Sequence, residues 1–480
     1  MSENNESKRF RLWHAFAAAA VLLIISFITL TAVRAVSFKK TTNARKLSAQ
    51  ETISLGNLLV NQYPEKYKYL KSLPYNIAQP QLDVWAKSAI LIDVSTGNIL
   101  YEKNADAIIP PASMTKLFAM YVVEAEVEAG RLSYDQVIPL PPESWACNMP
   151  PHSSLMFLGK GQKVTLEELL LGLSICSGND AAYALAYTVC GSMEEFVERM
   201  NEAARDLGLE HTHFVESSGY SELNQTTARE MAEFAALYLL RFPSSLHRFH
   251  SVLSFTYPKA KNMAPGDKLQ AQDFSQGLPQ KITMSITQDN TNPLLGKLEG
   301  CDGLKTGYID ESGYNLALTA IRGETRFLSV TMGGPGNNTR EGQAGRVHDG
   351  TELMEWAFAN FADYPLSLKV HSYFVHCFNA SEKMICLQPA YPSSTITVPY
   401  VTGSSMAENL DSVQVSVNLP NYCWGEVVQG AQYGSIIISA GDYVLEEIPL
   451  VADRNLKKGN VLTTMSDLIL RTYKIKIKNK

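Results

Sequence analysis

The alternation of apolar and polar stretches along the chain first shows a long apolar segment close to the N-terminus. Residues 12–33 are almost entirely apolar and follow a basic stretch at residues 8–11. Such a segment is as long as the roughly 20 helical residues that cross a bilayer. We therefore predict a cytoplasmic tip and a transmembrane anchor over residues 1–37.

A cleaved secretory signal is the alternative for this segment, because Val33-Arg34-Ala35 resembles a cleavage site with small residues. Signal peptides usually carry shorter apolar regions of about 7–15 residues, which favours the uncleaved anchor. Basic residues flank the run on both sides, with Lys39 and Lys40 following it, so charge alone leaves the orientation open.

The segments that follow differ in their periodicity. Residues 38–83 are polar with little periodicity and predict a stalk. Short apolar strands and amphipathic helices then alternate, beginning with a strand at 89–93 and a return strand at 99–101. Pro110-Pro111 next marks the first turn of a helix, as proline often does.

Capping boxes and turn residues predict the remaining elements of this region. Three pairs have a Ser or Thr cap with Glu three residues later: Thr165 with Glu168, Ser192 with Glu195, and Thr227 with Glu230. Gly208 is placed to end the second of these helices. A hairpin is expected over residues 314–332, and a helix from about 351 to 361. Strands at both ends with helices between them predict an α/β domain over residues 84–363.

Beyond this domain the pattern changes to short alternating runs that are typical of β-strands. These runs are residues 369–378, 395–401, 412–418 and 435–438. They predict a small all-β sandwich domain over residues 364–465. A short basic tail over residues 466–480 ends the sequence.

Composition and charge narrow the range of functions. A net charge of −6 at pH 7, with no block of lysines in the body of the chain, argues against a nucleic-acid partner. The seven cysteines include no CxxC pair and no histidine cluster has zinc-ligand spacing, so we expect neither a metal nor a cofactor. Cys377 and Cys386 either form a bridge across a hairpin or are buried thiols.

Three short motifs occur in order, namely Ser113-Met-Thr-Lys116, Ser177-Gly-Asn179 and Lys305-Thr-Gly307. Each is weak alone, because Ser37-Phe-Lys-Lys40 also fits the first pattern. Their context adds weight: Ser113 follows the proline pair, so its hydroxyl and the Lys116 amine share one face of a helix. Lys305 begins a strand, in which Gly307 lets a substrate backbone approach closely.

The residue types in these motifs are sufficient for acyl transfer without histidine. A serine hydroxyl needs a base, and an amine with a lowered pKa can serve. Burial and a neighbouring cation, Lys305, would lower the pKa of Lys116, which we expect to deprotonate Ser113. Ser177 would pass the proton to the leaving amine, and Asn179 would hold the substrate amide.

Lys305 and Thr306 would bind a terminal substrate carboxylate by charge and hydrogen bonding. Each motif taken singly also has a purely structural interpretation, as a helix cap, a solvated lysine or a turn. The occurrence of all three, correctly ordered and each in a suitable context, favours the catalytic interpretation.

The motif set resembles that of the penicillin-recognising serine acyltransferases. More narrowly, residues 89–361 resemble the low-molecular-mass penicillin-binding proteins, which are serine-type D-alanyl-D-alanine carboxypeptidases. Further stretches are similar to that family's own, namely Leu209–Phe214, Thr226–Met231, Ser312–Leu316 and, in its accessory domain, Ile448–Ala452. The resemblance implies a β-lactamase/transpeptidase-like α/β domain with a helical insert, followed by the β domain.

This resemblance also implies a function. The enzyme would remove the terminal D-alanine from peptidoglycan pentapeptides through an acyl-enzyme on Ser113, regulating wall cross-linking, and would be acylated by β-lactams. Its catalytic domain would lie on the extracytoplasmic (periplasmic) side of the plasma membrane. The backbone N–H groups of Ser113 and Tyr308 would form the oxyanion hole, typically worth about 3–4 kcal/mol. Arg340 matches the family's arginine near the carboxylate pocket; its other interpretation is an ordinary surface residue.

Other functions use the same features. A class A β-lactamase would need a glutamate-bearing loop, and the region after the second motif offers Glu216-Ser-Ser-Gly-Tyr220 without an E-x-x-L-N pattern. A D,D-endopeptidase acting on cross-links would use the same residues, and a non-catalytic module would only bind wall peptide. The sequence departs from the family in its short basic end and in a Gly-rich, insertion-like stretch at residues 342–350.

Overall fold

The computed structural model describes residues 3–78, 80–366, 373–400, 405–441 and 443–472. These residues form two compact units. One unit consists of Tyr69–Asp363 together with Pro399 and Tyr400, and it contains all three motifs. The other unit consists of the described residues before Tyr69 and most of those after Asp363.

The N-terminal part of the chain is helical. Its helices are α1 (Glu3–Lys40), α2 (Ala49–Gln62) and α3 (Pro64–Tyr67). The stretch Phe10–Lys40 of α1 contains an 18-residue window with a mean hydropathy of 2.5 and is long and apolar enough to cross a membrane. The predicted membrane-spanning helix is therefore present as a helix of suitable length and composition.

The segment predicted as a stalk, residues 38–83, has more structure than its composition indicated. Ser48 and Glu51 form a capping box that starts α2, and Leu55 and Leu59 are buried one turn apart. This Ser-x-x-Glu signal and the i, i+4 apolar pair are present in the sequence, but polar neighbours conceal them. The stalk interpretation was wrong for α2.

The motif-bearing unit is built on a six-stranded mixed sheet. The described strands of the whole unit are β1 (Lys71–Ser72), β2 (Ser88–Asp93), β3 (Asn98–Lys103), β4 (Val137–Ile138), β5 (Val164–Thr165), β6 (Ser254–Tyr257), β7 (Ile286–Asp289), β8 (Cys301–Ile309), β9 (Gly313–Arg322) and β10 (Thr325–Gly334). Of these, β4 pairs with β5 and β6 pairs with β7 in separate two-stranded sheets. The sheet order is β1-β3-β2-β10-β9-β8, and every pairing except that of β1 with β3 is antiparallel. The predicted strand pair at the start and the predicted hairpin are both confirmed.

Helices cover both faces of this sheet. They are α4 (Lys116–Glu128), α5 (Leu166–Ser174), α6 (Asn179–Cys190), α7 (Met193–Asp206), α8 (Ala228–Arg241) and α9 (Thr339–Asn360). Along β2, Ile90 and Ile92 pack into the core that contains α4, whereas Ala89 and Leu91 pack towards α9. This alternation follows from the two-residue repeat of a strand that is buried on both faces.

The predicted helix starts are confirmed at α5, α7 and α8. Thr165, Ser192 and Thr227 each accept a hydrogen bond from the backbone N–H of the glutamate three residues later. Gly208, with a φ of 74°, follows the end of α7 as expected. Local side-chain chemistry therefore fixes these helix boundaries.

The last helix of this unit begins twelve residues earlier than predicted. α9 starts with Asn338, whose side chain accepts from the Glu341 N–H, and it includes the Gly-rich stretch interpreted as an insertion. A Cβ at Gly342 would lie 2.2 Å from the Tyr314 ring, and one at Gly350 would lie 2.6 Å from Leu294. The glycines permit close packing of the helix, so the predicted start at residue 351 was wrong.

The second unit carries the predicted β domain. Its elements are β11 (Phe361–Pro365), β12 (Tyr373–Phe378), β13 (Met384–Pro389), β14 (Thr395–Pro399), α10 (Met406–Asp411), β15 (Val413–Asn418), β16 (Cys423–Trp424), β17 (Gln432–Ala440), β18 (Tyr443–Ala452) and α11 (Val461–Thr472). A six-stranded sheet has the order β15-β17-β18-β13-β12-β16. Of the predicted runs, residues 369–372 and Val401 lie outside the described residues. So does the part of the predicted basic tail after residue 472; the tail's first residues belong to α11.

Candidate active site

Ser113 lies in a 3₁₀ turn, Ala112–Thr115, that leads directly into α4. Ala112 has a φ of 50° and the Met114 N–H donates to the Pro111 carbonyl, so the chain turns sharply. Ser113 is half-buried and lines a cavity of about 510 Å³. The turn therefore presents the hydroxyl to a space large enough for part of a peptide.

Lys116 is the first residue of α4 and reaches back over this turn. Its Nζ donates to Ser113 Oγ at 2.9 Å, to Asn179 Oδ1 at 2.9 Å and to the Ser218 carbonyl at 2.5 Å. The side chain is completely buried. Burial lowers the pKa of Lys116 from 10.5 to about 7, although the negative charges of Glu216 and Asp180 act in the opposite direction.

The second motif connects α5 to α6. Ser177 has a left-handed φ of 56°, and Asn179 is the first residue of α6. The Asn179 side chain accepts from Lys116 through Oδ1 and donates through Nδ2 to Ser153 Oγ at 3.1 Å. Asn179 thus connects the Lys116 amine to a segment close to the cavity wall.

Lys305 lies on β8 and is almost completely buried, with 1% of its surface exposed. Its Nζ donates to Ser177 Oγ at 3.0 Å and to the Thr306 carbonyl at 3.1 Å. Burial, with repulsion from Lys116 and Arg346, holds the pKa of Lys305 well below its usual value. We expected this repulsion to act on Lys116; in the structure burial is the main cause there, and the repulsion bears on Lys305.

Two glycines bring neighbouring chain segments against the Ser113 turn. A Cβ at Gly307 would lie 2.4 Å from the Pro111 carbonyl oxygen, and one at Gly219 would lie 1.8 Å from the Ala112 carbonyl oxygen. Both separations are shorter than any side-chain carbon tolerates, so each position requires glycine. The absence of these side chains brings β8 and the loop at Gly219 close to the turn that carries Ser113.

The residues on either side of Gly307 have different environments. Thr306 is buried, and its hydroxyl donates to Thr291 Oγ1 at 2.7 Å. The Tyr308 side chain is 45% exposed, and its hydroxyl donates to Asp310. Tyr308 and Asp310 both line the cavity that contains Ser113.

Two arginines on α9 differ sharply in burial. Arg340, predicted beside the carboxylate pocket, is exposed in the first turn of α9, and its side chain has no hydrogen bond or ion pair within the described part of the chain. Arg346 is 6% exposed, and its guanidinium donates to the carbonyls of Gly307 at 2.5 Å and Asn315 at 3.0 Å. Burial lowers the pKa of Arg346 to about 10. Arg346, and not Arg340, therefore contacts the third motif.

The loop that supports Lys116 from the other side was not assigned a role in the sequence analysis. Glu216 organises this loop, because its carboxylate accepts the backbone N–H groups of Ser218 and Gly219, both at 2.6 Å. Asn224 is buried and donates to the same carboxylate at 3.0 Å. Glu216, considered above as a water-activating residue of a β-lactamase, is thus occupied within its own loop.

The structure brings together the predicted side chains in two hydrogen-bonded groups, Ser113–Lys116–Asn179 and Ser177–Lys305. The two lysines are close enough for Lys116 to lower the pKa of Lys305 by repulsion. Arg346, Ser153 and the Ser218 carbonyl join them, and sequence reasoning missed these three contacts. A mixed sheet flanked by helices, with a buried lysine on a serine at the head of a helix, defines the class of serine acyltransferases that recognise penicillin.

Comparison with known proteins gives the family. The model of the D-alanyl-D-alanine carboxypeptidases, Peptidase_S11, matches residues 75–336, so the chain belongs to this family. D-alanyl-D-alanine carboxypeptidase DacF of Bacillus subtilis is 29% identical over 388 residues, covering 80% of this chain and 90% of that protein. DacA of Escherichia coli is 32% identical over 285 residues, covering 59% of this chain and 62% of that protein.

Solved structures agree with this assignment. Penicillin-binding protein 5 of Haemophilus influenzae superposes with a TM-score of 0.62 at 26% identity, covering 80% of this chain and all of that one. The predicted family, the α/β fold with a C-terminal β domain, and the assignment as a D-Ala-D-Ala carboxypeptidase are therefore confirmed.

Proposed function

We propose that Ser113 is the nucleophile and Lys116 the general base of this carboxypeptidase. The observation that carries the proposal is the 2.9 Å contact between Ser113 Oγ and the completely buried Lys116 Nζ. With its pKa lowered to about 7, the amine has a free lone pair in part of the molecules at neutral pH. It accepts the hydroxyl proton as Oγ attacks the amide carbonyl between the two terminal D-alanines.

Ser177 then passes the proton that Lys116 took from Ser113 onward to the leaving amine, which returns Lys116 to its neutral form. A hydroxyl both donates and accepts, and Lys305 holds this one at 3.0 Å. The C–N bond breaks, D-alanine leaves with the proton, and the acyl-enzyme remains on Ser113. Water, deprotonated by the same Lys116, hydrolyses the ester and regenerates the free serine.

The substrate's terminal carboxylate lies against Lys305 and Thr306 in this proposal. A negative charge beside Lys305 favours its ammonium form and so opposes the effect of burial. Arg346 supports this position from behind, since its guanidinium is tied to the Gly307 carbonyl, and it takes the place that the sequence assigned to Arg340. Asn179 holds the substrate amide through its side chain.

The backbone N–H groups of Ser113 and Tyr308 form the oxyanion hole in the same scheme. Support comes from Gly307, whose missing side chain lets β8 run beside the Ser113 turn. Donors fixed by the backbone need no reorganisation when charge develops on the carbonyl oxygen. The developing charge is thus met by groups that are already in place.

The decisive experiment combines two measurements on the purified full chain. A fluorescent penicillin should label the protein covalently, and a model pentapeptide should release D-alanine; Ser113→Ala should lose both. Ser37→Ala is the matched control, because Ser37 also opens an S-x-x-K pattern, and it should retain both.

Three outcomes would contradict the proposal. A stable label without D-alanine release indicates a module that only binds. Rapid loss of label with hydrolysis of the drug indicates a β-lactamase. Cleavage of a cross-linked dimer in preference to the pentapeptide indicates an endopeptidase.

We also propose that α1 is an uncleaved anchor, with the catalytic domain on the extracytoplasmic side. Arg34 forms a bidentate ion pair with the buried Asp467: Nε donates to Oδ1 at 2.8 Å and Nη2 to Oδ2 at 2.6 Å. Phe38 is 2% exposed and stacks on Phe378. Cleavage after Ala35 would remove Arg34 and leave a buried carboxylate without this partner.

The anchor proposal is tested on the protein as it is expressed. The membrane fraction should contain a chain whose intact mass includes residues 1–35, and protease added outside the cell should digest the catalytic domain. A mature chain beginning near Val36 would instead establish a cleaved signal.

A further inference from the structure

At the outer edge of β8, a backbone carbonyl is hydrogen-bonded to a histidine that the mechanism above does not use. Among the described strands, β8 has a partner only on its β9 side, so its other edge needs different hydrogen-bond partners. The Leu304 carbonyl, one residue before Lys305, lies 3.2 Å from His250 Nδ1. His250 is completely buried at the end of a π-helical turn, Leu246–His250.

The same nitrogen of His250 contacts the segment that leads into the second motif. Nδ1 lies 3.1 Å from Ser174 Oγ, and Ser174 is the last residue of α5, three positions before Ser177. One imidazole nitrogen therefore touches the two segments that carry Ser177 and Lys305. The side chains of these two residues meet at 3.0 Å.

The other ring nitrogen fixes His250 to the helical layer. Nε2 lies 2.9 Å from the Tyr238 hydroxyl, whose oxygen lies 2.7 Å from Glu124 Oε1. Tyr238 and Glu124 are buried as well. Burial lowers the pKa of His250 to about 3, so the ring is neutral through the physiological range and carries one N–H. A carbonyl can only accept, so this N–H is on Nδ1 and donates to Leu304, while Nε2 accepts from the Tyr238 hydroxyl.

We propose that His250 is a positioning residue that sets the separation between the Ser177 hydroxyl and the Lys305 amine. It does so because its Nδ1 contacts both the Ser174 hydroxyl and the Leu304 carbonyl, and it does not touch the substrate. The inference rests on the roles proposed above for Ser177 and Lys305. A displacement of about 1 Å in a catalytic group costs on the order of 100-fold in rate, so loss of this contact should affect turnover.

Two substitutions separate the two sides of the imidazole. The amide nitrogen of His250→Asn replaces Nδ1, so this variant keeps the contacts with Leu304 and Ser174 and loses Tyr238. The amide nitrogen of His250→Gln replaces Nε2 and does the reverse. We expect kcat/KM for D-alanine release to fall about 10- to 100-fold in H250Q and less than about threefold in H250N. The melting temperature should fall by similar amounts in both.

Further variants control for stability and for the underlying mechanism. Tyr238→Phe removes the far hydroxyl, so it should lower the melting temperature and leave kcat/KM near wild type. His247→Asn, at an exposed position on the same turn, should change neither. Lys305→Met should abolish release of D-alanine.

The outcomes distinguish the inference from the proposed function. Equal losses of kcat/KM in H250N and H250Q, or activity that follows melting temperature across all variants, would show that His250 is only structural. If K305M kept wild-type activity, the roles proposed for Ser177 and Lys305 would be wrong. The inference about His250, which rests on those roles, would then be wrong as well. A normal loss in K305M without a difference between the His250 variants would reject the inference alone.

Discussion

In the proposed mechanism, the pKa of Lys116 determines the pH range in which Ser113 is acylated. Only the neutral amine accepts a proton, and burial brings its pKa to about 7. The neutral fraction is about 1% at pH 5, about 10% at pH 6 and about 90% at pH 8, because one unit changes the ratio tenfold. We expect the second-order rate constant of acylation by benzylpenicillin to rise about 90-fold from pH 5 to pH 8 and then to level off.

The sign of the effect follows from the direction of the shift. A lysine with its ordinary pKa of 10.5 would be protonated throughout this range, and the rate would still be rising at pH 9. Benzylpenicillin carries only a carboxylic acid, which stays ionised above pH 5, so the rise reports a group on the enzyme. Rates would be measured from the loss of free serine in a competition with fluorescent penicillin.

A substitution that removes a nearby charge tests whether the rise in acylation rate with pH comes from Lys116. The carboxylate of Glu216 raises the pKa of Lys116, so Glu216→Gln should move the midpoint to lower pH. Glutamine keeps an acceptor oxygen for the backbone N–H groups of this loop. Glu222→Gln is the matched control, because Glu222 lines the same cavity and is not among the charges that shift Lys116. A flat profile, a midpoint near 10, or equal shifts in both variants would refute the reasoning.

Three further predictions follow from packing and register. Gly307→Ala places a methyl group 2.4 Å from a backbone oxygen of the neighbouring turn, so kcat/KM should fall at least about 100-fold in steady-state assays. Gly56→Ala, at a position with no atom within 4 Å, is its control, and equal activity of the two variants would contradict the close-packing argument. Arg346→Lys removes the planar guanidinium that donates to two backbone carbonyls, so the KM for a pentapeptide should rise about tenfold. An unchanged KM would count against the role proposed for Arg346. Cys377 and Cys423 are register partners on adjacent parallel strands, so oxidised glutathione should join them in one disulfide and release two reduced glutathiones. Peptide mapping by mass spectrometry should show this link, and a bond from Cys377 to Cys386, which pairs with Phe374 instead, would contradict the register.

The features that the sequence predicted well are encoded by neighbouring residues. The β2–β3 strands follow from a short apolar run, a turn and a return run. The starts of α5, α7 and α8 follow from a hydroxyl and a glutamate three positions apart. The Ser113–Lys116 pair belongs to the same kind, because helix geometry alone carries the amine over the serine.

The features that the sequence did not predict depend on residues far apart in the chain. Gly342 and Gly350 look like helix breakers by propensity, but tertiary packing against the sheet outweighs a cost of about 1 kcal/mol each. Arg346 is six residues from the expected arginine, and only the path of α9 past β8 shows which of the two is buried. The Ser218 carbonyl carries no side-chain signal at all, since it contributes through its backbone.

The placement of two lysines in one buried cluster gains a reason from their electrostatics. Burial disfavours charge on both lysines, and repulsion from Lys116 adds to this effect on Lys305, so positive charge is disfavoured in the cluster. A substrate carboxylate beside Lys305 would favour the ammonium form there. That charge would in turn disfavour a proton on Lys116, because neighbouring cations repel each other in a medium of low dielectric constant. Binding of a free C-terminal carboxylate would therefore hold the positive charge at the anion and leave a neutral base at Ser113, which gives a physical reason for preferring peptides that end in a free carboxylate.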